Sequence, residues 1–200
     1  MKPKYSDDRS FTDFVHTQLA VPQVYQYLGW KEKKVDSKTL LSLDLHEGVD
    51  YIFENQYNKE ILVQERFRDE YYKNYQDCTL RYRRDANVDS SRHQSEFYKV
   101  KADYLVYGIT NGSKFPEKRH TLTHFLKIVV LDLKILFHNF DKGLITPKYG
   151  YKSSNIVDGK MIAPIIDNHD DSSSFVAFDV SQLHQLFGKK GIILFQKGFF

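Results

Sequence analysis

Val49-Asp50-Tyr51-Ile52-Phe53 and Ile61-Leu62-Val63-Gln64-Glu65-Arg66-Phe67-Arg68, joined through Asn55-Gln56-Tyr57-Asn58, read as two strands closed by a turn. The reading of this hairpin decides the fold. An acidic residue sits at the head of the first strand, and a Gln-Glu-Arg run interrupts the second where a buried strand would carry apolar residues.

Outward from the hairpin, the pattern alternates between helix and strand. Ser10 is placed to cap a helix through Phe11, Phe14, Val15 and Leu19 that ends before Pro22, and a second short helix runs over residues 22–28 with Gly29 as its stop. Residues 40–45 return to apolar alternation. On the other side, residues 69–76 read as a short helix or a loop, Thr79-Leu80-Arg81-Tyr82-Arg83 as a strand, the polar residues 85–95 as an exposed turn, and residues 97–109 as one long strand ended by Asn111-Gly112. Two later segments share a rhythm: Ile128-Val129-Val130-Leu131-Asp132 and Phe175-Val176-Ala177-Phe178-Asp179 each run an apolar strand into an Asp that can cap the next helix, over 133–140 and 180–187. Residues 121–139 also satisfy the spacing of one long helix. Gly188 is positioned to stop the later helix, and residues 191–195 supply a last strand. Residues 146–174 read as an exposed excursion with one short strand at 161–166.

This grammar predicts an α/β fold, with a central mixed β-sheet flanked by helices, in one domain over residues 1–200. Residues 1–30 form N-terminal helices, 40–110 the sheet that carries the candidate chemistry, and 120–200 a C-terminal α/β part.

Composition narrows the class. Two hundred residues suffice for one substantial core, and no apolar stretch reaches the roughly 18 residues that cross a bilayer. The N-terminus lacks the apolar centre of a signal peptide. The single cysteine, Cys78, excludes an internal disulfide and a cysteine-built zinc site, so a cytoplasmic location is expected and Cys78 reads as a small residue at a strand start. The eight histidines show no compact metal spacing apart from His120-x-x-x-His124, which lacks the Glu of a zincin, so they read as surface residues. Asp167-Asn168-His169-Asp170-Asp171 lacks the pattern of a calcium loop and reads as a solvated turn. The net charge of +3 is modest, but basic residues crowd the middle of the chain and are interleaved with Tyr and Phe. Cations neutralise phosphates and aromatic faces stack on bases, so Arg68, Arg81, Arg83 and Lys99 are candidates for tracking a nucleic-acid backbone.

A hairpin with an acidic residue on one strand and an acceptor plus a cation on the other can hold Mg²⁺ beside a phosphate. On these residues the chain resembles the PD-(D/E)XK nuclease superfamily, over residues 44–109. The resemblance implies a restriction-endonuclease-like fold and a DNA endonuclease that uses Mg²⁺ or Mn²⁺. Asp50 takes the place of the first metal-binding Asp. Strand alternation makes Gln64 and Arg66 correspond to the (D/E)-x-K pair, a departure on both counts, since Gln is a weaker ligand and Arg cannot act as a base. Glu65 is the nearby carboxylate on the opposite face, Glu47 a further oxygen, and Lys101 the candidate for a relocated catalytic cation. A homodimer is implied only insofar as cutting two strands often uses two sites. The Gln and Arg also suit a non-catalytic nucleic-acid- or protein-binding module of the same fold, for instance a phage or mobile-element accessory protein.

Overall fold

The computed structural model describes residues 5–84, 95–168 and 173–200. The first helix starts earlier than Ser10: α1 (Tyr5–Val15) runs directly into a π-helical segment, His16–Tyr25, with Pro22 inside it. A π-helix repeats about every 4.4 residues, and its buried positions, His16, Leu19, Ala20, Val24 and Tyr25, follow that repeat. With 3.6 residues per turn, positions 16 and 25 would face opposite ways. The wider turn places them on one side. The segment ends at Tyr25 with Gln26 as its C-cap, so Pro22 neither ends a first helix nor starts a second, and Gly29, expected as the stop, lies in the following turn at φ +69°.

Strand β1 (Lys31–Glu32) precedes helix α2 (Ser37–Glu47), which occupies the stretch read as apolar alternation. Asp36 caps α2 by accepting the N–H groups of Lys38 and Thr39, and Gly48 closes it in the left-handed region at φ 60°. The hairpin follows as β2 (Tyr51–Glu54) and β3 (Glu60–Arg68), antiparallel, with Tyr51 opposite Val63. Along the rest of the chain come β4 (Asp77–Arg84), α3 (Glu96–Lys99), β5 (Tyr104–Thr110), β6 (Phe125–Asp132), α4 (Leu133–Asp141), β7 (Ile145–Lys148) and β8 (Asn155–Val157). The last elements are β9 (Lys160–Asp167), β10 (Ser173–Asp179), α5 (Val180–Phe187) and β11 (Ile193–Lys197).

These strands form two mixed sheets flanked by helices, where a single central sheet was expected. The larger has the order β1-β2-β3-β5-β6-β11, and the smaller β4-β10-β9-β7 with β8 on β9. In the larger sheet only β3 and β5 are parallel. The third strand of the sequence reading, β4, leaves the hairpin and pairs with β10, Cys78 opposite Phe178. One core joins the sheets, with Leu105, Tyr107 and Val129 of the larger against Leu80, Met161 and Phe178 of the smaller. A second core lies beneath the N-terminal helix, where Phe11, Val15 and Val24 meet Phe53, Val63 and Phe67.

The repeated strand-to-helix junctions form as expected. Asp132 accepts the Ile135 N–H and Asp179 the Gln182 N–H, and the long-helix reading of 121–139 is not realised. Gly188 ends α5 in right-handed geometry and a further 3-10 turn continues to Gly191, which takes the left-handed conformation. Two other expectations change. The excursion at 146–174 contributes β8, β9 and most of β7 to the smaller sheet, because its polar residues fall in turns while Met161, Ala163 and Ile165 are buried at alternate positions. The strand expected at 97–109 divides into α3 and β5: Phe97 turns inward edge-on to Phe137 and Phe140, which leaves Lys99 and Lys101 off the strand. The exposed turn read at 85–95 lies, except for Ser95, outside the described residues, as do His169, Asp170 and Asp171. Among the described residues no helix is long and apolar enough to cross a membrane.

Candidate functional site at the open edge of β3

β2 pairs with β3 only from Glu60 to Val63, so beyond Val63 this edge of β3 is open. Asp50 stands where the strands part. Its backbone N–H donates to the Val63 carbonyl (2.8 Å), and its Oδ2 accepts the Glu65 N–H (2.8 Å). The other oxygen, Oδ1, accepts from Arg9 of α1 (3.2 Å). Arg9 also reaches Asp13 (3.0 Å) and Asp44 of α2 (3.4 Å), so one guanidinium serves three carboxylates. Burial, with repulsion from Asp44 and Glu65, pushes the Asp50 carboxyl up to about 7 against the opposing pull of the Glu65 N–H and Arg9. Arg9 is lowered by burial, yet its neighbours, Asp50 foremost, outweigh this and raise it.

β3 keeps a regular register on both sides, with no bulge, so Glu65 points opposite to Gln64 and Arg66. It faces the N-terminal helix. Its carboxylate is fully buried and its Oε1 accepts from Tyr25 Oη and from His16 Nδ1 (2.8 Å), while Oε2 is buried with no hydrogen-bond partner. His16 stacks on Tyr51 at 3.6 Å between ring centres. Burial disfavours its charge, but the bond to Glu65 and the charges of Glu65 and Glu32 outweigh that and raise it. Tyr25 is raised by burial and by Glu65, which keeps its hydroxyl a donor. The π-helical widening is what brings His16 and Tyr25 to one carboxylate. The sequence reading missed this pair and took His16 as a surface residue. The signal available to it was His16 and Tyr25 nine residues apart among apolar positions, which α-helical spacing does not align.

Next to these carboxylates, a cavity of about 180 Å³ opens at the β3 edge, bordered by Glu65, Arg66, Arg68, Arg81, Glu96 and Lys114 among others. Arg66 is half-buried, bonded through Nη1 to Glu96 (3.0 Å), and its buried Nε has no hydrogen-bond partner. Burial, then the charge of Arg68, with a smaller contribution from Arg81, pushes Arg66 down to about 10 against the pull of Glu96. It stays charged at neutral pH, and the crowding marks positive charge that the protein only partly compensates. Arg81 lies 3.8 Å from Glu96, and the Arg68 guanidinium lies over the Tyr72 ring.

Comparison with protein-family models, curated proteins and solved structures gives no match. The geometry alone therefore sorts the candidate residues. It ties Asp50 to β3 through the Glu65 N–H and groups Arg66, Arg68 and Arg81 around one cavity, which Asp50 does not line, while the Glu65 carboxylate turns to the opposite face of β3 from Arg66. Gln64, expected to share a metal with Asp50, instead faces the space between the sheets, opposite Leu105, with its Oε1 buried and unbonded. Glu47 and Lys101, proposed as ligand and catalytic cation, pair with each other (3.3 Å), Lys101 being largely exposed in the loop before β5. Lys99 donates to the Asp44 and Leu45 carbonyls and so caps the end of α2. Arg83 pairs with Asp167 (3.5 Å). Cys78 is a buried strand residue whose thiol burial pushes up, in keeping with a structural role.

The Asp50 environment yields a prediction for the protein in EDTA. With a native value near 7 and an unfolded value of about 3.9, Asp50 binds more protons in the native state between those values. Its stabilising protonation is complete below about pH 3.9 and lost as pH rises through about 7. Asp50→Asn mimics the protonated form. In urea denaturation, its stability relative to the natural protein is expected to rise by about 2 kcal/mol from about pH 5 to 8. A difference that stays flat across that range contradicts the assignment.

Proposed function

We propose that this chain is a restriction-endonuclease-like domain that grips nucleic-acid phosphodiesters at the open edge of β3 and hydrolyses them with Mg²⁺ or Mn²⁺. The observation that carries the reading is the grouping of Arg66, Arg68 and Arg81 around one cavity at the β3 edge, with Asp50 held to the same stretch of strand by the Glu65 N–H. There Glu65 Oε2 and Arg66 Nε are both buried without hydrogen-bond partners.

The donor set fits a hard divalent cation. Asp13, Asp44 and Asp50 share the one guanidinium of Arg9, and Glu65, bonded to His16, keeps a buried carboxylate oxygen without a hydrogen-bond partner. No group of three His, Cys, Asp or Glu that could hold a metal occurs among the described residues, so an ion on Asp50 and Glu65 would have to complete its shell with water and phosphate, as Mg²⁺ commonly does. Asp50 and Glu65 would hold it. When bound, such an ion supplies an activated water for attack on phosphorus. His16 and Tyr25 fix the orientation of Glu65, as outer partners of a ligand do. Arg66, with Arg68 and Arg81, neutralises the phosphate and the charge that develops on it. Arg9, which pairs with Asp50, would have to give up that oxygen for a cation to be held there.

The test is incubation of the purified protein with supercoiled plasmid and branched DNA in Mn²⁺. Nicking that EDTA stops is expected. Absence of both cleavage and nucleic-acid binding at low salt contradicts the proposal. One observation favours a second reading, a non-catalytic nucleic-acid-binding module: Arg9 already occupies Asp50. That reading predicts binding that falls steeply with salt, ignores divalent metal and is never followed by cleavage.

A further inference from the structure

The arginine cavity is sized for one charged group. Its volume of about 180 Å³ lies below the roughly 300 Å³ at which pockets begin to take drug-sized ligands. At about 30 Å³ per water it holds about six waters, room for a phosphate group and not for the nucleoside attached to it.

Five consecutive residues, Glu65 to Asp69, border this cavity. Side chains alternate between the two faces of a strand, so a run of neighbours along one wall means that the wall includes the strand's edge. The backbone groups alternate as well. Leu62 turns its N–H and C=O to Asp103 ahead of β5, whereas the Val63 C=O and the Glu65 N–H meet Asp50 on the other side. Phe67, two residues beyond Glu65 in unbroken register, therefore directs its N–H to the open edge, where no strand pairs with it. A backbone N–H aimed into such a cavity is a donor for a phosphate oxygen.

Charge selects the form of phosphate. Arg66, Arg68, Arg81 and Lys114 border the cavity against Asp69 and Glu96, and these four cations and two carboxylates leave two positive charges. Glu65 also borders it, but its carboxylate lies on the opposite face of β3, held by His16 and Tyr25. Glu96 is shared between Arg66 and Arg81, and Asp69 accepts the Lys114 N–H, while Arg68 lies over the Tyr72 ring. An internal phosphodiester carries one negative charge, a phosphate monoester nearly two at neutral pH. The surplus matches the monoester. Hydrolysis turns the first into the second, so a cavity matched to the dianion favours the charge that develops during cleavage over that of the intact backbone.

We propose that the Arg66 cavity is a site for a phosphate monoester dianion, and that the chain therefore holds a phosphorylated strand end more tightly than an unbroken backbone. For the strand this rests on the phosphodiester reading above, and it names the form of phosphate the site takes.

Isothermal titration calorimetry in EDTA tests it with inorganic phosphate and with an eight-nucleotide strand that ends in a 5′-phosphate, in a 3′-phosphate or in hydroxyls alone. The proteins compared are the natural chain, Arg66→Met, Arg81→Met and, as a control outside the cavity, Arg83→Met, each checked for a cooperative thermal transition. One phosphorylated strand or both are expected to bind at least about tenfold more tightly than the hydroxyl-ended strand, since a charge-assisted hydrogen bond is worth roughly ten- to 150-fold. Inorganic phosphate competes for the same place. Arg66→Met and Arg81→Met bring the preference to about one, and Arg83→Met leaves it intact. Should Arg66→Met fail to fold, Arg81→Met carries the test, because that side chain is 31% exposed. Equal affinity for all three strands, or a preference that Arg81→Met does not move, overturns the monoester site and leaves the phosphodiester reading standing. Binding of inorganic phosphate with no affinity for any strand keeps the site and overturns that reading, and failure to bind any of these ligands overturns both.

Discussion

Asp50→Ala is expected to lower Mn²⁺-dependent cleavage by at least about 10²- to 10³-fold, the scale at which a single preorganised electrostatic partner of the reaction acts. The reasoning is local. Asp50 is anchored by the Glu65 N–H at the splayed end of the hairpin, and its remaining oxygen accepts from Arg9. Alanine removes the proposed ligand and leaves the lining of the arginine cavity, to which Asp50 does not belong, intact. Nucleic-acid affinity measured in EDTA should therefore hold while cleavage falls. Equal cleavage by both proteins would mean that a contaminant does the cutting, and parallel loss of affinity and cleavage would mean that Asp50 supports the fold rather than the chemistry.

The second large effect concerns Arg9. Replacing it with Met leaves Asp13, Asp44 and Asp50 to repel one another around a carboxyl that is already mostly buried. Breaking a buried pair costs about 3–5 kcal/mol, but Arg9 is one-third exposed and solvent screens part of its charge. About 2 kcal/mol of lost stability is expected in EDTA, or roughly 5 °C in Tm for a chain of this size. The same substitution vacates the place a divalent cation would take. Mn²⁺ should therefore raise the Tm of Arg9→Met more than that of the natural chain, because a ligand that binds the native state alone stabilises it by mass action. Equal responses would show that Arg9 and the cation do not compete.

The legible and illegible parts of this protein differ in the range of the forces that shape them. The Asp132 and Asp179 caps were readable because an N-cap is a contact between residues three apart. The hairpin was readable because β2 and β3 are joined by a short turn. The partition into two sheets was not: β4 pairs with β10, nearly a hundred residues away, and no local pattern distinguishes that partner from β3. Helix α2 was missed although Asp36 and Gly48 bracket it, because none of its residues is buried and its apolar positions carry no helical stripe. At the site, pleating separated Glu65 from Gln64 and Arg66, as the sequence implied. Asp50 bonds to the Glu65 N–H within the hairpin, but its other contact, Arg9 of the N-terminal helix, comes from 41 residues away and was not readable in the hairpin. The role of His16 depended on a π-helix, which periodicity analysis built on 3.6 residues does not detect.

Anomalous diffraction from crystals soaked in Mn²⁺ shows whether Asp50 and Glu65 share one divalent cation beside the Arg66 cavity, as proposed. A peak in contact with carboxylate oxygens of both residues is expected, with the Arg9 guanidinium displaced from Asp50. A fully soaked crystal in which Arg9 remains on Asp50, with no peak between residues 50 and 65, contradicts it.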